Sequence, residues 1–458
     1  MDMRQKDVEV CSQDSTASGG SSKGSLSVAS ANGSNRFRRG GILPTAICLS
    51  KAAIGAGVLS VAAHAAEVGA VYQFACLVLG GLLTLASIRM IANASVETGC
   101  WSYEDDICDE LFHPAMSLFT GFINVCNCLG SAAGYLIVCG QVFQVVFRAD
   151  DNARNLFVVL VGVFICGPLA LARHVGFMRH LAAISVGALL LLVGSVVWYW
   201  AQHGIDESVD VESFLLPSSG ATVFTYMNSI NNMVFAYNNQ FNVPQLTGEL
   251  TPVPSVRKMT KVAFLSTSLC FLLYGSVSIF GVLAFGVADD NQKDTLILDL
   301  MPARKEWHVV VSLFAVMFSV LTCFQFHVYP IRQFSAYAVR KLRGLPAKAA
   351  DDEEEIASDG CGGRSLARWL DIACALGAVA VAILIAVVVT SLRSILDFIG
   401  AFASAYISYV VPPLWILALR KKGKDFSWLA PEILFSLALL SLGVFFFVFG
   451  TYCAIKGA

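Results

Sequence analysis

Charge is what this sequence has least of. Asp, Glu, Lys and Arg make up 14% of its 458 residues while 56% are hydrophobic; ordinary soluble domains carry about 25% charged residues. Such a composition excludes a water-soluble globular fold. An excess of either sign is also missing, since 31 basic residues face 33 acidic ones, so nothing marks a nucleic-acid partner. The apolar stretches contain no paired Asp and no clustered His, which excludes an enzyme buried in the membrane and a metal site; no cofactor is expected. The first forty residues lack the apolar region of a signal peptide and hold too few apolar side chains to repay ordering, so 1–40 is expected to be a disordered cytoplasmic tail. Cysteine, by contrast, is plentiful at 14. Cys48, Cys76, Cys126, Cys128, Cys139, Cys166, Cys270, Cys323 and Cys374 all lie in apolar stretches, where a free thiol behaves as a small hydrophobe and a disulfide framework is not expected.

What the chain does have is repeated uncharged runs of the length that crosses about 30 Å of hydrocarbon as a helix; LAAISVGALLLLVGSVVWYW, Leu181 to Trp200, is one. Eleven spans are read, at about 42–66, 70–92, 115–147, 156–172, 181–201, 220–242, 261–286, 307–330, 367–390, 395–419 and 430–454. Arg36, Arg38 and Arg39 precede the first span and put the N-terminus in the cytoplasm by the positive-inside rule. The later inside loops agree, with Arg257, Lys258 and Lys261, then Arg340, Lys341 and Arg343, then Arg420, Lys421, Lys422 and Lys424. The outside loops are poorer in basic residues, and Arg393 stands alone in the last of them. The loop after the second span is acidic instead, which says little about orientation. The run Asp351 to Glu355 reads as a solvated linker.

Two spans are interrupted. In the first, Gly55, Ala56 and Gly57 weaken the helix, because Gly costs about 1 kcal/mol relative to Ala in a helix interior. In the sixth, VFAYNNQFNVPQL, Val234 to Leu246, packs four amides, Asn238, Asn239, Gln240 and Asn242, into an apolar span ahead of Pro244. Such groups cannot face lipid, where each unpaired polar group costs several kcal/mol. A break frees N–H groups that attract a carboxylate and carbonyls that hold a cation or an ammonium, and paired broken spans in matching positions of two halves point to a transporter's midplane site. The substrate-binding residues expected on this reasoning are Gly55, Ala56, Gly57 and Val58 in the first break and Phe235, Ala236, Tyr237, Asn238 and Asn239 in the second. In the long third span Asn124, Asn127 and Ser131 share one face, suited to helix packing or to a cavity, with Tyr135 beyond as a cavity residue. Among ionisable residues, Lys51 precedes the first break by about one turn, where a lysine near the cytoplasmic end of a span would snorkel. His64 and Glu67 follow the break, Glu67 about 15 Å along the helix from Gly57, near the outer mouth. There it would favour a cationic substrate or relay a proton. His327 is either a proton carrier or a packed neutral ring.

GAGVLSVAAHAAEVG from Gly55 resembles the first-helix signature of the amino acid/auxin permease family, and FAYNNQFNVPQLTGEL from Phe235 resembles its sixth-helix segment. SVRKMTKV, YGSVSIFGVLAFG, DTLILDL, VYPIRQ and IGAFASAYISYVVPPLWIL are similar to that family in order and spacing, so the likeness runs from about Ile42 to Leu419. It implies an all-α polytopic membrane protein of 11 transmembrane helices: a 5+5 inverted repeat with discontinuous helices 1 and 6, plus one extra helix. The domain at 41–458 would then comprise repeat one at 41–202, repeat two at 220–420 and the extra helix at 430–454. The implied activity is secondary active amino acid transport by alternating access; an amino acid sensor with little net transport is the alternative. Ala62 stands where several subfamilies have Pro or Ser. Cys323 stands where sodium-coupled relatives have a Thr, and a thiol is a poor ligand for a hard cation. With Ser319 and Thr322 nearby, the coupling candidates are Glu67, Ser319, Thr322, Cys323 and His327, and proton symport or uncoupled exchange is preferred to sodium. The partners are an amino acid, protons and the lipid bilayer. The plasma membrane is the expected location, with an acidic organelle as the alternative.

Overall fold

The structure is a computed structural model, and it describes residues 40–103, 107–171, 175–207, 209, 214–218, 220–286, 296–300, 302–342, 361–422 and 428–457. The tail at 1–39 and the acidic run Asp351 to Glu355 lie outside the described residues. All regular structure among the described residues is helical, as the composition implies. The principal elements are α1 (Ile42–Ala53), α2 (Gly57–Val68), α3 (Ala70–Thr98), α4 (Pro114–Phe147), α5 (Asp151–Leu171), α6 (Val175–His203), α7 (Val223–Ala236) and α8 (Val243–Gly248). They are followed by α9 (Val256–Phe285), α10 (Trp307–Leu342), α11 (Cys361–Val388), α12 (Leu392–Lys422) and α13 (Pro431–Lys456).

Among the described residues nine helices are long and apolar enough to cross a membrane, and α1 with α2 makes a tenth as a span bent by 59°. These correspond to ten of the eleven expected spans, most within about six residues; the eighth, expected at 307–330, runs on to Leu342. The sixth is the exception: α7 has 14 residues, about 21 Å of helix, too short to cross alone. Its capping box is formed by Thr222 and Thr225. The chain leaves helix at Tyr237 to Asn239 before a short 3-10 turn, Gln240–Asn242, leads into α8. Lipid-type surfaces are plain on the outward faces, where Phe74, Leu82, Phe164, Phe264, Leu272, Leu384 and Val448 are exposed. Exposed apolar area of this extent has a favourable solvent only in hydrocarbon.

Short connections and close approaches hold the bundle in register. Gly69 joins α2 to α3 at φ 79°, ψ 151°, a region open essentially to glycine alone. Gly99 ends α3 in the left-handed conformation, with its N–H on Ser95 O at 2.9 Å. α12 is loosened by two consecutive π-helical turns, Gly400–Ser404 and Tyr406–Val410, such as recur at functional sites. At the first of these a Cβ on Gly400 would lie 2.0 Å from the Asn231 carbonyl oxygen, so a hydrogen side chain is what lets α12 meet α7. Gly400→Ala is therefore expected to destabilise the protein by about 1–3 kcal/mol, the usual cost of overpacking, read as a lower melting temperature in detergent. An unchanged melting temperature would contradict this contact.

Candidate functional site

The two interruptions face one another at the centre of the bundle, and every residue from Lys51 to Ser60 and from Phe235 to Gln240 is buried. In the first, Ile54 N–H bonds Ser50 O at 2.7 Å and Gly55 N–H bonds Ala53 O at 2.9 Å. Ile54, at φ −79° and ψ 83°, thus forms an inverse γ-turn that ends α1. α2 restarts at Gly57 with no side-chain cap, leaving its first N–H groups and the positive end of its dipole directed into the break. The glycines are here for proximity: a Cβ on Gly55 would lie 2.8 Å from the Tyr135 hydroxyl, and one on Gly57 would lie 3.1 Å from Ala236 Cα and 3.3 Å from the Phe235 ring. Val58, second residue of α2, is also buried.

The carbonyl ends of the two half-helices converge on one hydroxyl. Tyr274 Oη of α9 is 2.6 Å from Ala236 O and 3.3 Å from Ala53 O. It has one hydrogen and donates to the nearer, so the second carbonyl is held in place without a full partner. Tyr237 turns away and donates to Leu77 O at 3.2 Å, its ring edge-to-face with Tyr274. Asn238 donates to Asn127 Oδ1 at 2.7 Å and to Ser404 Oγ at 2.9 Å, and Ser404 donates to the same Asn127 oxygen at 3.0 Å. This triad joins α4, the second break and the π turn of α12. Asn239 donates to Leu49 O at 3.4 Å, while its own N–H is taken by Gln240 Oε1 at 2.8 Å. Asn127 Nδ2, Asn238 Oδ1, Asn239 Oδ1 and Gln240 Nε2 are buried without hydrogen-bond partners. Unpaired buried groups of this kind cost about 1–3 kcal/mol each, and here they cluster where a polar ligand would satisfy them.

A second polar patch lies behind the first break. Lys51 is wholly buried rather than snorkelling; its ammonium donates to Ser319 Oγ at 2.7 Å and to Ser319 O at 2.9 Å. Thr322 Oγ1 donates to Ser319 O at 2.7 Å and contacts Ser185 Oγ of α6 at 2.5 Å. Cys323 approaches Lys51 O at 3.7 Å. Ser319 therefore holds the ammonium, with Thr322 bonded to Ser319 and Cys323 to the lysine's backbone. His327 is packed: its Nδ1 lies 3.2 Å from Cys323 O, and its ring meets Tyr135 and Phe241 edge-on.

Glu67 stands apart from the breaks, in a bidentate ion pair with Arg393 of α12. Tyr274, Ser404, Ser185, Arg393 and Asp397 were not anticipated. Asp397 carried a readable signal, since an acid inside an apolar span is a functional candidate by default. Tyr274 opens the YGSVSIFGVLAFG stretch, but nothing in its local pattern singled it out as a site residue.

A many-helix membrane bundle with a buried polar centre built from two interrupted helices is the architecture of a membrane transporter, not of an enzyme. The family described as transmembrane amino acid transporter protein matches residues 38–456, and the chain belongs to that family. It is 22% identical over 348 residues to vacuolar amino acid transporter 5 of Saccharomyces cerevisiae, covering 67% of this chain and 72% of that one. With vacuolar amino acid transporter 5 of Schizosaccharomyces pombe the identity is 23% over 385 residues, 82% and 83% of the two chains. With vacuolar amino acid transporter 6 of S. cerevisiae it is 22% over 409 residues, 81% and 88%.

Tyr274→Phe removes the hydroxyl shared by Ala53 O and Ala236 O. A loss of about 1–3 kcal/mol is expected from leaving a buried carbonyl unpaired, seen as a lower melting temperature together with slower amino acid uptake. A variant that matches the unsubstituted protein in both would show that the hydroxyl does not hold the breaks.

Proposed function

We propose that this chain is a secondary active amino acid transporter working by alternating access, with the substrate bound between the two breaks. The observation that carries the reading is the contact of Gly57 with Ala236, which sets an uncapped helix N-terminus beside a helix C-terminus. A zwitterion has matching ends: its carboxylate meets the N–H groups at Gly55 to Val58, and its ammonium meets the carbonyls at Phe235 to Asn238. Tyr135, Tyr237, Asn238 and Asn239 shape the space for the side chain. The packing supports an inverted repeat, because four of the five pairs of elements that would correspond lie against each other: α2 on α7, α3 on α9, α4 on α10 and α5 on α11. α7 with α8 then counts as one broken crossing, the sixth, which brings the spans to eleven, and α13 is the appended helix. Both breaks are buried, so release requires the bundle of α1, α2, α7 and α8 to rock against the remainder. The basic inside loops support a cytoplasmic N-terminus, and relatives named for the vacuole support the membrane of an acidic compartment over the plasma membrane.

Gly57→Trp tests the site, because an indole there collides with Phe235 and Ala236. Uptake of radiolabelled amino acids by a transport-deficient cell is expected to vanish while the protein remains in the membrane; retained uptake would contradict the site.

The surroundings of Lys51 support a coupling mode without sodium. A fixed ammonium already occupies the oxygens of Ser319, and a second cation there would meet direct repulsion. Replacing external sodium with choline is expected to leave uptake unchanged within about twofold, less than 0.5 kcal/mol. A fall of tenfold or so would contradict this.

A further inference from the structure

A buried ionic pair lies outside both breaks, toward the far end of α2. His64, about 10 Å along α2 from Gly57, is wholly buried, and Asp397 of α12 is 3% exposed. His64 Nδ1 is 2.9 Å from Ser60 O, and Nε2 is 3.2 Å and 3.3 Å from the two oxygens of Asp397. A backbone carbonyl only accepts, so Nδ1 carries a hydrogen; an ionised carboxylate also only accepts. With a neutral imidazole the Nε2 lone pair would point at carboxylate lone pairs. The contact is attractive only with one further proton, either on Nε2 or on Asp397. We propose that His64 and Asp397 form the proton-binding site that couples amino acid movement to pH, which rests on the transport reading above.

The surroundings agree in charge and in access. Asp397 is followed through space by Arg393, whose Nε is 3.8 Å from Asp397 Oδ2, and Arg393 pairs with Glu67 of α2. Two carboxylates, one guanidinium and one imidazole are neutral with the proton bound and carry one uncompensated negative charge without it. From α7 and α9 the groups described against α2 are uncharged: α7 presents Asn232 to Ser60, and α9 presents Gly281 to Ala62; the segment Leu296–Asp299 packs there too, through Leu296 beside Gly281. A cavity of about 400 Å³ lined by Glu67, Arg393, Asp397, Asn228, Thr222 and Thr225 reaches the Asp397 side of the pair, giving water a route to the carboxylate, while His64 stays behind it. Because the contact bridges α2 and α12, losing the proton turns an attraction between two helices into a repulsion. Asp397 lies one turn before the π turn that ends in Ser404, which holds Asn238 and Asn127. Proton occupancy is thereby linked to closure of α2 against α12 beside the amino acid site.

The test uses the full chain in liposomes with a radiolabelled amino acid mixture, following counterflow at symmetric pH and uphill accumulation under a pH gradient. One proton per substrate predicts about tenfold accumulation for about one pH unit in the unsubstituted protein. Asp397→Asn can donate to a neutral Nε2, and His64→Gln can donate to an ionised Asp397, so each keeps a hydrogen bond without the extra proton. Both are expected to catalyse counterflow still and to lose uphill accumulation. Accumulation like that of the unsubstituted protein in both variants overturns the proposal, and so does loss of counterflow in both while they remain monodisperse, which makes the contact structural. Counterflow without accumulation in the unsubstituted protein overturns the proton site alone; absence of counterflow there overturns the transport reading, before any variant is made.

Discussion

A backbone that leaves helix inside a membrane must find partners for every N–H and C=O it frees, since hydrocarbon offers none. The rest of this bundle depends on how that constraint is met at Ile54 to Ala56 and at Tyr237 to Asn239. The first break closes part of the deficit with a γ-turn, and the second passes a side-chain amide back to its own backbone at Asn239. Tyr274 then serves the carbonyl ends of both with a single hydroxyl. What remains unsatisfied is an uncapped α2 N-terminus and a set of amide groups from Asn127, Asn238, Asn239 and Gln240. The packing elsewhere keeps these groups together, with glycine at Gly57 and Gly400 allowing backbone to approach backbone. An uncapped helix N-terminus beside unpaired amides is costly alone, and on the proposed reading a zwitterionic ligand relieves that cost.

The ionisable groups divide by their distance from that centre. Lys51 is immobilised by the oxygens of Ser319 immediately behind the first break. His64, Asp397, Arg393 and Glu67 form a separate string at the far end of α2. One group holds a permanent cation; the other is built around a proton that can come and go. Such a division lets the substrate site stay constant in charge while the α2–α12 contact responds to pH.

Local pattern made much of the architecture legible in advance. Uncharged runs of 20 or more residues gave the long helices, including the unbroken α4, because a span must bury all its backbone polarity internally. Both breaks were readable too, from Gly55 and Gly57 on one side and from amides ending at Pro244 on the other. Facing was not readable. Asn127 suited helix packing first and a cavity second, and its partners, Asn238 and Ser404, lie 111 and 277 residues away in sequence. Lys51 looked like a snorkelling residue because its spacing to the helix end is right, and only the position of α10 shows that it points inward. Arg393 read as a lone loop cation, whereas its partner Glu67 is 326 residues distant. Tertiary pairing of this range leaves no periodicity behind.

The measurement that bears most directly on the account is a structure of the full chain with a transported amino acid bound at saturation. The account predicts density between the two breaks, with the carboxylate against the N–H groups of Gly57 and Val58 and the ammonium against carbonyls near Ala236. An amino acid found instead in the cavity beside Arg393, with the breaks packed as they are here, would contradict it.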